Sequence, residues 1–132
     1  MPLAFSARCF TARHRNLPKD NCQFGCLDYP DGLSLKTREN QDFLVLNGIQ
    51  TQSALVYNLI DEMDAMQELG VDIVRLSPQS QHMLQIIGMF DAVMARRMAA
   101  ADAMQQMQAL MPDGACNGYW HGKPGLDLLS VA

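Results

Sequence analysis

A long loop that carries three cysteines constrains this chain of 132 residues more than any other feature. Residues 10–32 contain two Pro, two Gly and five Asn or Asp residues, a composition that predicts turns instead of a regular helix or strand. Loops of this length inside compact domains are usually functional or disordered. Cys9 precedes the loop, and Cys22 and Cys26 lie within it, which gives the spacing C-x12-C-x3-C. We call residues 9–32 the cysteine loop and expect function there.

The cysteine spacing indicates a metal centre without identifying the metal. Thiolate sulfurs bind both zinc and iron–sulfur clusters. The spacing matches neither the C-x2-C pairs common in zinc sites nor the familiar ferredoxin patterns, so both metals stay open, together with unrelated packed thiols. Disulfides are less favoured, because no basic segment followed by an apolar core marks the chain for secretion. We therefore predict a cytoplasmic protein.

The basic residues are concentrated around the cysteines. Residues 1–38 hold six Lys or Arg and three Asp or Glu, a net charge of +3, whereas residues 39–132 hold four and eleven, a net charge of −7. Basic neighbours favour the thiolate form of cysteine and stabilise an anionic cluster, so this bias supports a metal–thiolate centre. The whole chain is acidic, with a pI of about 5.1, which argues against nucleic-acid binding.

The rest of the sequence predicts alternating strands and helices. Apolar alternation and continuous apolar runs predict strands at residues 3–7, 33–37, 43–46 and 71–76, with residues 49–53 extended after a turn at Asn47-Gly48. Helical spacing of apolar residues predicts helices at residues 57–69, about 78–94 and 99–111. The order strand, helix, strand, helix is typical of parallel βα units and therefore of an α/β fold. A closed barrel needs eight such strands, so we expect only part of a larger fold.

Several segments of the chain resemble the collagenase-like peptidase family, and in particular its members in oxygen-independent ubiquinone biosynthesis. The segments are SARCFTARH (6–14), NCQFGC (21–26), FLVLNGIQTQ (43–52), VDIVRLSPQ (71–79) and CNGYWHG (116–122). The resemblance covers essentially the whole chain. It implies that residues 1–132 are a single partial domain, the C-terminal half of a TIM-barrel-like (βα) fold. The cysteine loop would then bind a cluster, and residues 112–132 would form a C-terminal tail.

The resemblance also implies a function. In this family a 4Fe–4S cluster supports ring hydroxylation without oxygen, and the protein pairs with a related, UbiU-like subunit as a heterodimer that acts on a ubiquinone precursor. The implied cluster ligands are Cys9, Cys22 and Cys26, with the fourth ligand in an N-terminal half that this chain lacks. Cys116 is an alternative fourth ligand, although the family match does not give it that role. The catalytic residues are not identified by the sequence.

Two other functions stay open. Related family members hydroxylate RNA bases, and a zinc-stabilised interaction module without enzymatic activity would also use the thiols. Protease activity is not expected, because the chain contains neither G-x-S-x-G nor H-E-x-x-H. Cys116 and His121 as nucleophile and base have no support from their spacing. No run of residues approaches the roughly 20 apolar residues of a membrane span.

Overall fold

The computed structural model describes residues 2–129, and its contacts group into two compact units. The first unit is Met1–Leu55 and the second is Val56–Ala132. The model has a mixed α/β architecture, which confirms the predicted fold class at that level. The division into two units leaves the single partial domain over residues 1–132 as a prediction, and the last three residues of the predicted tail lie outside the described residues.

The first unit is built on a four-stranded antiparallel sheet with the strand order β1-β4-β3-β2. Its strands are β1 (Pro2–Phe5), β2 (Leu33–Lys36), β3 (Asp42–Asn47) and β4 (Gln50–Ser53). The strands predicted at residues 33–37 and 43–46 and the extended segment at 49–53 are therefore confirmed. The predicted turn is also present, because Asn47 pairs with Gln50 and Gly48 between them adopts φ +58°, a left-handed conformation that glycine accepts without a Cβ clash.

Short helical segments interrupt the cysteine loop. They are α1 (Phe10–His14) and two 3-10 turns, Lys19–Asn21 and Gly25–Asp28. The helix packs against β3 and against the second 3-10 turn. The loop is thus ordered by contacts with the sheet and with itself.

The second unit contains the hydrophobic core. Its elements are β5 (Val56–Tyr57), a 3-10 turn (Ile60–Glu62), α2 (Met63–Glu68), α3 (Met83–Met94), α4 (Ala100–Gln108) and β6 (Ala115–Cys116). The buried core residues are Ile60, Met63, Met66, Ile86, Ala103, Met104, Met107 and Ala115. Ile60, Met63 and Met66 recur every three residues, as do Met104 and Met107 in α4, so each of these segments buries one face.

The parallel βα arrangement predicted for residues 57–94 is not formed. Residues 71–76 make no strand, and Ile73 is 87% exposed. The predicted helix at 57–69 is divided into β5, a 3-10 turn and α2, and the next helix begins at Met83. Among the described residues, the only parallel pairing is the two-residue ladder between β5 and β6. A strand needs a neighbouring strand to complete its backbone hydrogen bonds. Among the described residues, no strand pairs with residues 71–76.

Neither sheet closes into a barrel within residues 2–129. Among the same residues, no helix combines the length and the apolar character that crossing a membrane requires.

Candidate metal centre in the cysteine loop

The first cysteine lies at the start of α1. Cys9 is the N-cap residue, with extended backbone angles, and its carbonyl accepts a hydrogen bond from the Arg13 N–H at 3.2 Å. The next residue, Phe10, donates its N–H to the Gly48 carbonyl at 2.7 Å. That bond fixes the start of the helix to the turn between β3 and β4. The half-buried Cys9 thiol is therefore attached to a well-defined point of the first unit.

The second and third cysteines flank a tight reversal of the chain. The carbonyl of Cys22 accepts the N–H of Gly25 at 3.3 Å, and the carbonyl of Cys26 accepts the N–H of Tyr29 at 3.0 Å. Between them, Gln23 and Phe24 both adopt left-handed conformations, with φ of 54° and 49°. Such conformations are uncommon for residues other than glycine, and they bend the chain sharply.

Contacts with Arg15 hold this reversal against the end of α1. Arg15 forms an ion pair with Asp28, and that hydrogen bond holds the pKa of the guanidinium above its ordinary value. The Arg15 guanidinium also lies 5.7 Å from the centre of the Tyr29 ring, which meets the His14 ring edge-on at 6.1 Å. A Cβ added to Gly25 would lie 2.7 Å from the Arg15 side chain. A larger residue at position 25 would therefore displace the Arg15 side chain from its place beside the reversal.

Several cations lie near the loop without an acidic partner. Within residues 2–129, the side chains of Arg8 and Arg13 form no ion pair. The Lys19 ammonium donates to the Ala7 carbonyl at 3.5 Å, so it reaches the chain just before Cys9. These groups remain available to compensate negative charge at the thiols.

The three cysteines are ordered by one set of contacts, but they do not form a preassembled metal site. In the part of the chain that the structure describes, no group of three or more His, Cys, Asp or Glu residues could hold a metal ion as placed. All three are free thiols; Cys9 and Cys22 are half-buried and Cys26 is exposed. Convergence of Cys9, Cys22 and Cys26 on one cluster therefore stays a prediction.

Cys116 has a different environment. It belongs to β6 in the second unit and is 2% exposed, and burial raises the pKa of its thiol. A buried thiol with a raised pKa is a poor nucleophile, because the reactive thiolate is disfavoured. The His121 Nε2 atom lies 3.0 Å from Glu62 Oε1. The structure thus gives no support to Cys116 and His121 as a nucleophile and base.

Hydrogen bonds between distant residues hold the described part of the tail together. The Asn117 side chain donates to the Leu129 carbonyl and accepts from the Leu129 N–H, both at 2.7 Å. The N–H groups of Asn117 and Gly118 both donate to the Asp127 carbonyl, at 2.9 and 3.0 Å. The Asn117-Gly118 pair was the available sequence signal, but its partners Asp127 and Leu129 lie nine or more residues away and could not be identified from a local pattern.

Ionisation of buried groups makes the second unit sensitive to alkaline pH. Burial raises the pKa of Cys116 from its ordinary 9.0 and, with a smaller contribution from Cys116 itself, that of Tyr57 from 10.0. The folded chain therefore keeps these protons to higher pH than the unfolded chain, so its stability is full below about pH 9 and falls as pH rises further. We expect urea midpoints to fall between pH 9 and about 10.5, and to fall less in Cys116→Ala. Cys26→Ala, at an exposed position, should keep the wild-type pH dependence; equal behaviour of the two variants would contradict this assignment.

Protein-family models and solved structures were compared with this chain. No family model matches it, and no solved structure matches it significantly. The family resemblance noted in the sequence therefore stays a prediction.

Proposed function

We propose that this chain is the C-terminal half of a TIM-barrel-like (βα) protein of the UbiV type, in the collagenase-like peptidase family. In this proposal Cys9, Cys22 and Cys26 bind a 4Fe–4S cluster, and the protein acts with a UbiU-like subunit in the oxygen-independent hydroxylation of a ubiquinone precursor. The observation that carries the proposal concerns the first unit. Within residues 2–55, three free thiols lie in a unit that has no large buried side chain.

The burial of side chains shows how small the core of the first unit is. Among the described residues of the first unit, the buried ones are small: Thr11, Ala12, Gly25 and Ala54. Its large apolar side chains with substantial exposure are Leu3, Phe5, Phe24, Leu27, Leu35, Phe43 and Ile49. Folded units of about this size commonly rely on a disulfide or a metal, because a small core supplies too little stability. With no disulfide formed by the four cysteines, a metal centre is the stabilising element that fits these residues.

The donor set also fits an anionic cluster. The available ligands are soft thiolates, which iron–sulfur clusters use. The nearby guanidinium groups of Arg8 and Arg13 have no acidic partner among residues 2–129, so they can balance the negative charge of a thiolate-bound cluster. Three thiolates leave one ligand to be supplied from outside this set, in line with a fourth ligand in the N-terminal half of the family.

Each part of the chain has a distinct task in this proposal. When bound, the cluster would supply electron transfer or activation of an oxygen donor. The three cysteines would hold iron, and Arg15 would hold the reversal between Cys22 and Cys26 against α1 through its ion pair with Asp28. Cys26 is exposed, so as a ligand it would lie where an electron donor or a partner subunit can approach.

Metal analysis of anaerobically purified chain tests the proposal. We expect iron and acid-labile sulfide in similar amounts, below one cluster per chain, with visible absorption that bleaches in air. Zinc without iron or sulfide would contradict the cluster and support the alternative of a zinc-stabilised interaction module. Binding of RNA by the iron-loaded chain would instead favour the RNA-base hydroxylation alternative.

A further inference from the structure

The second unit contains a cavity that is lined only by residues of that unit. Its volume is about 660 Å³, within the range of small-molecule sites, roughly 300–1,000 Å³. Its apolar lining is Ile60, Met63, Val93 and Met98. Ile60 is fully buried and Met63 is 4% exposed, so this part of the wall belongs to the hydrophobic core and has a fixed shape.

Opposite charges line the same cavity without partners. Asp61 and Asp64 come from the 3-10 turn and α2, and Arg96 comes from the connection between α3 and α4. Within the described part of the chain, none of the three side chains forms a hydrogen bond or an ion pair. The next residue, Arg97, also lines the cavity, but its guanidinium is paired with Asp91. Asp61 is half-buried, and this burial, with a smaller contribution from the neighbouring Glu62, raises the pKa of its carboxyl group.

The backbone at Arg96, the unpaired arginine of the cavity lining, has a defined conformation. Arg96 adopts a left-handed conformation with φ of 55°, and its N–H donates to the Val93 carbonyl at 2.9 Å. Ala99 and Ala100, where the nine-residue helix α4 begins, line the cavity too, and no side chain caps this helix. The free N–H groups of a helix start attract anions, and here they add to the charge of Arg96 while Asp102 in the first turn of α4 offsets part of it.

We propose that this cavity binds a small zwitterion whose ammonium and carboxylate groups are separated by an apolar body. The carboxylate lies toward Arg96 and the start of α4, and the ammonium lies toward Asp61 and Asp64. The apolar body covers the wall formed by Ile60 and Met63. A ligand with separated charges fits better than one with adjacent charges for two reasons. The acidic residues and Arg96 come from different elements, and apolar side chains also line the cavity. The site lies wholly in the second unit, so the proposal does not depend on the cluster.

A ligand series on the unchanged chain tests the site by isothermal titration calorimetry. The probe is trans-4-(aminomethyl)cyclohexanecarboxylate, which carries both charges on a rigid apolar ring. Its two analogues, 4-methylcyclohexanecarboxylate and cyclohexylmethylamine, each lack one charge and should bind about tenfold more weakly, since each loses a charge-assisted hydrogen bond. L-Phenylalanine, with adjacent charges, should also bind more weakly. No binding of the probe, equal binding of either analogue, or preference for phenylalanine would overturn the proposal.

Two neighbouring arginines provide a matched pair of variants. Arg96→Gln should reduce the affinity for the probe to about that of cyclohexylmethylamine, because the carboxylate loses its partner. Arg97→Gln should leave the affinity within about twofold, since Asp91 already engages that guanidinium. An equal loss in both variants would show that general positive charge, and not a positioned group, attracts the probe, and the assignment of Arg96 would be wrong.

Discussion

Replacing Cys22 with alanine is expected to abolish the gain in retained iron that the predicted N-terminal half provides when the two are reconstituted anaerobically together. In the proposed centre, three thiolates come from this chain and the fourth from that half, so the wild-type pair should retain more iron than the chain alone. Removing the Cys22 thiolate leaves three ligands in the pair, so one iron position is open to solvent, as it is in the wild-type chain alone. Iron and sulfide per chain, measured after gel filtration, report the loss directly.

Cys116→Ala is the matched control for this experiment. Cys116 is buried in β6 and is not among the proposed ligands, so its variant should retain as much iron as the wild type. Full iron content in Cys22→Ala would show that the ligand assignment is wrong. A full, stable cluster on the isolated 132 residues that survives Cys116→Ala would show that no outside ligand is needed.

Substituting alanine for Gly118 is expected to destabilise the second unit by about 3 kcal/mol, at the upper end of overpacking effects. An added Cβ would lie 1.8 Å from the Pro124 carbonyl oxygen and 2.9 Å from its carbon, so the backbone itself must move. Movement there separates Gly118 from the Asp127 carbonyl and disturbs the paired hydrogen bonds between Asn117 and Leu129. Urea denaturation monitored by circular dichroism measures the effect.

Gly88→Ala provides a control of opposite sign. Gly88 lies inside α3, and an added Cβ would meet no atom within 4 Å. Alanine there should stabilise the chain by about 0.5–1 kcal/mol, because glycine loses more backbone entropy in a helix. If Gly118→Ala unfolds no more easily than wild type, the close approach of Gly118 to the Pro124 backbone is not present in solution.

The sequence predicted the parts of the fold that local patterns determine. Alternation at residues 33–37 identified a strand and Asn47-Gly48 identified a turn, because side-chain period and turn chemistry act over a few residues, but the antiparallel sheet that they build was not predicted. The strand predicted at residues 71–76 failed because pairing depends on a distant neighbour. Helices α3 and α4 were located by their apolar spacing, with ends that differ from prediction by up to five residues.

The functional features divide in the same way. The three cysteines were found from their spacing, whereas the order of the loop around them depends on Arg15, whose partner Asp28 follows thirteen residues later. The cavity was not predicted at all. Nothing in the sequence distinguishes Asp61 and Arg96 from other charged residues. Only the packing of α2, α3 and α4 brings them to the same cavity.

The unequal burial of the two units has a consequence for how such a chain would age in a cell. The second unit carries its own core, and the first has only small buried residues and several exposed aromatic and aliphatic side chains. If a metal supplies the missing stability, oxidative loss of that metal would open the first unit while the second stays folded. Exposed apolar segments are what quality-control proteases and chaperones recognise. Under the proposed function, exposure of the first unit would then mark for turnover those molecules that have lost their metal.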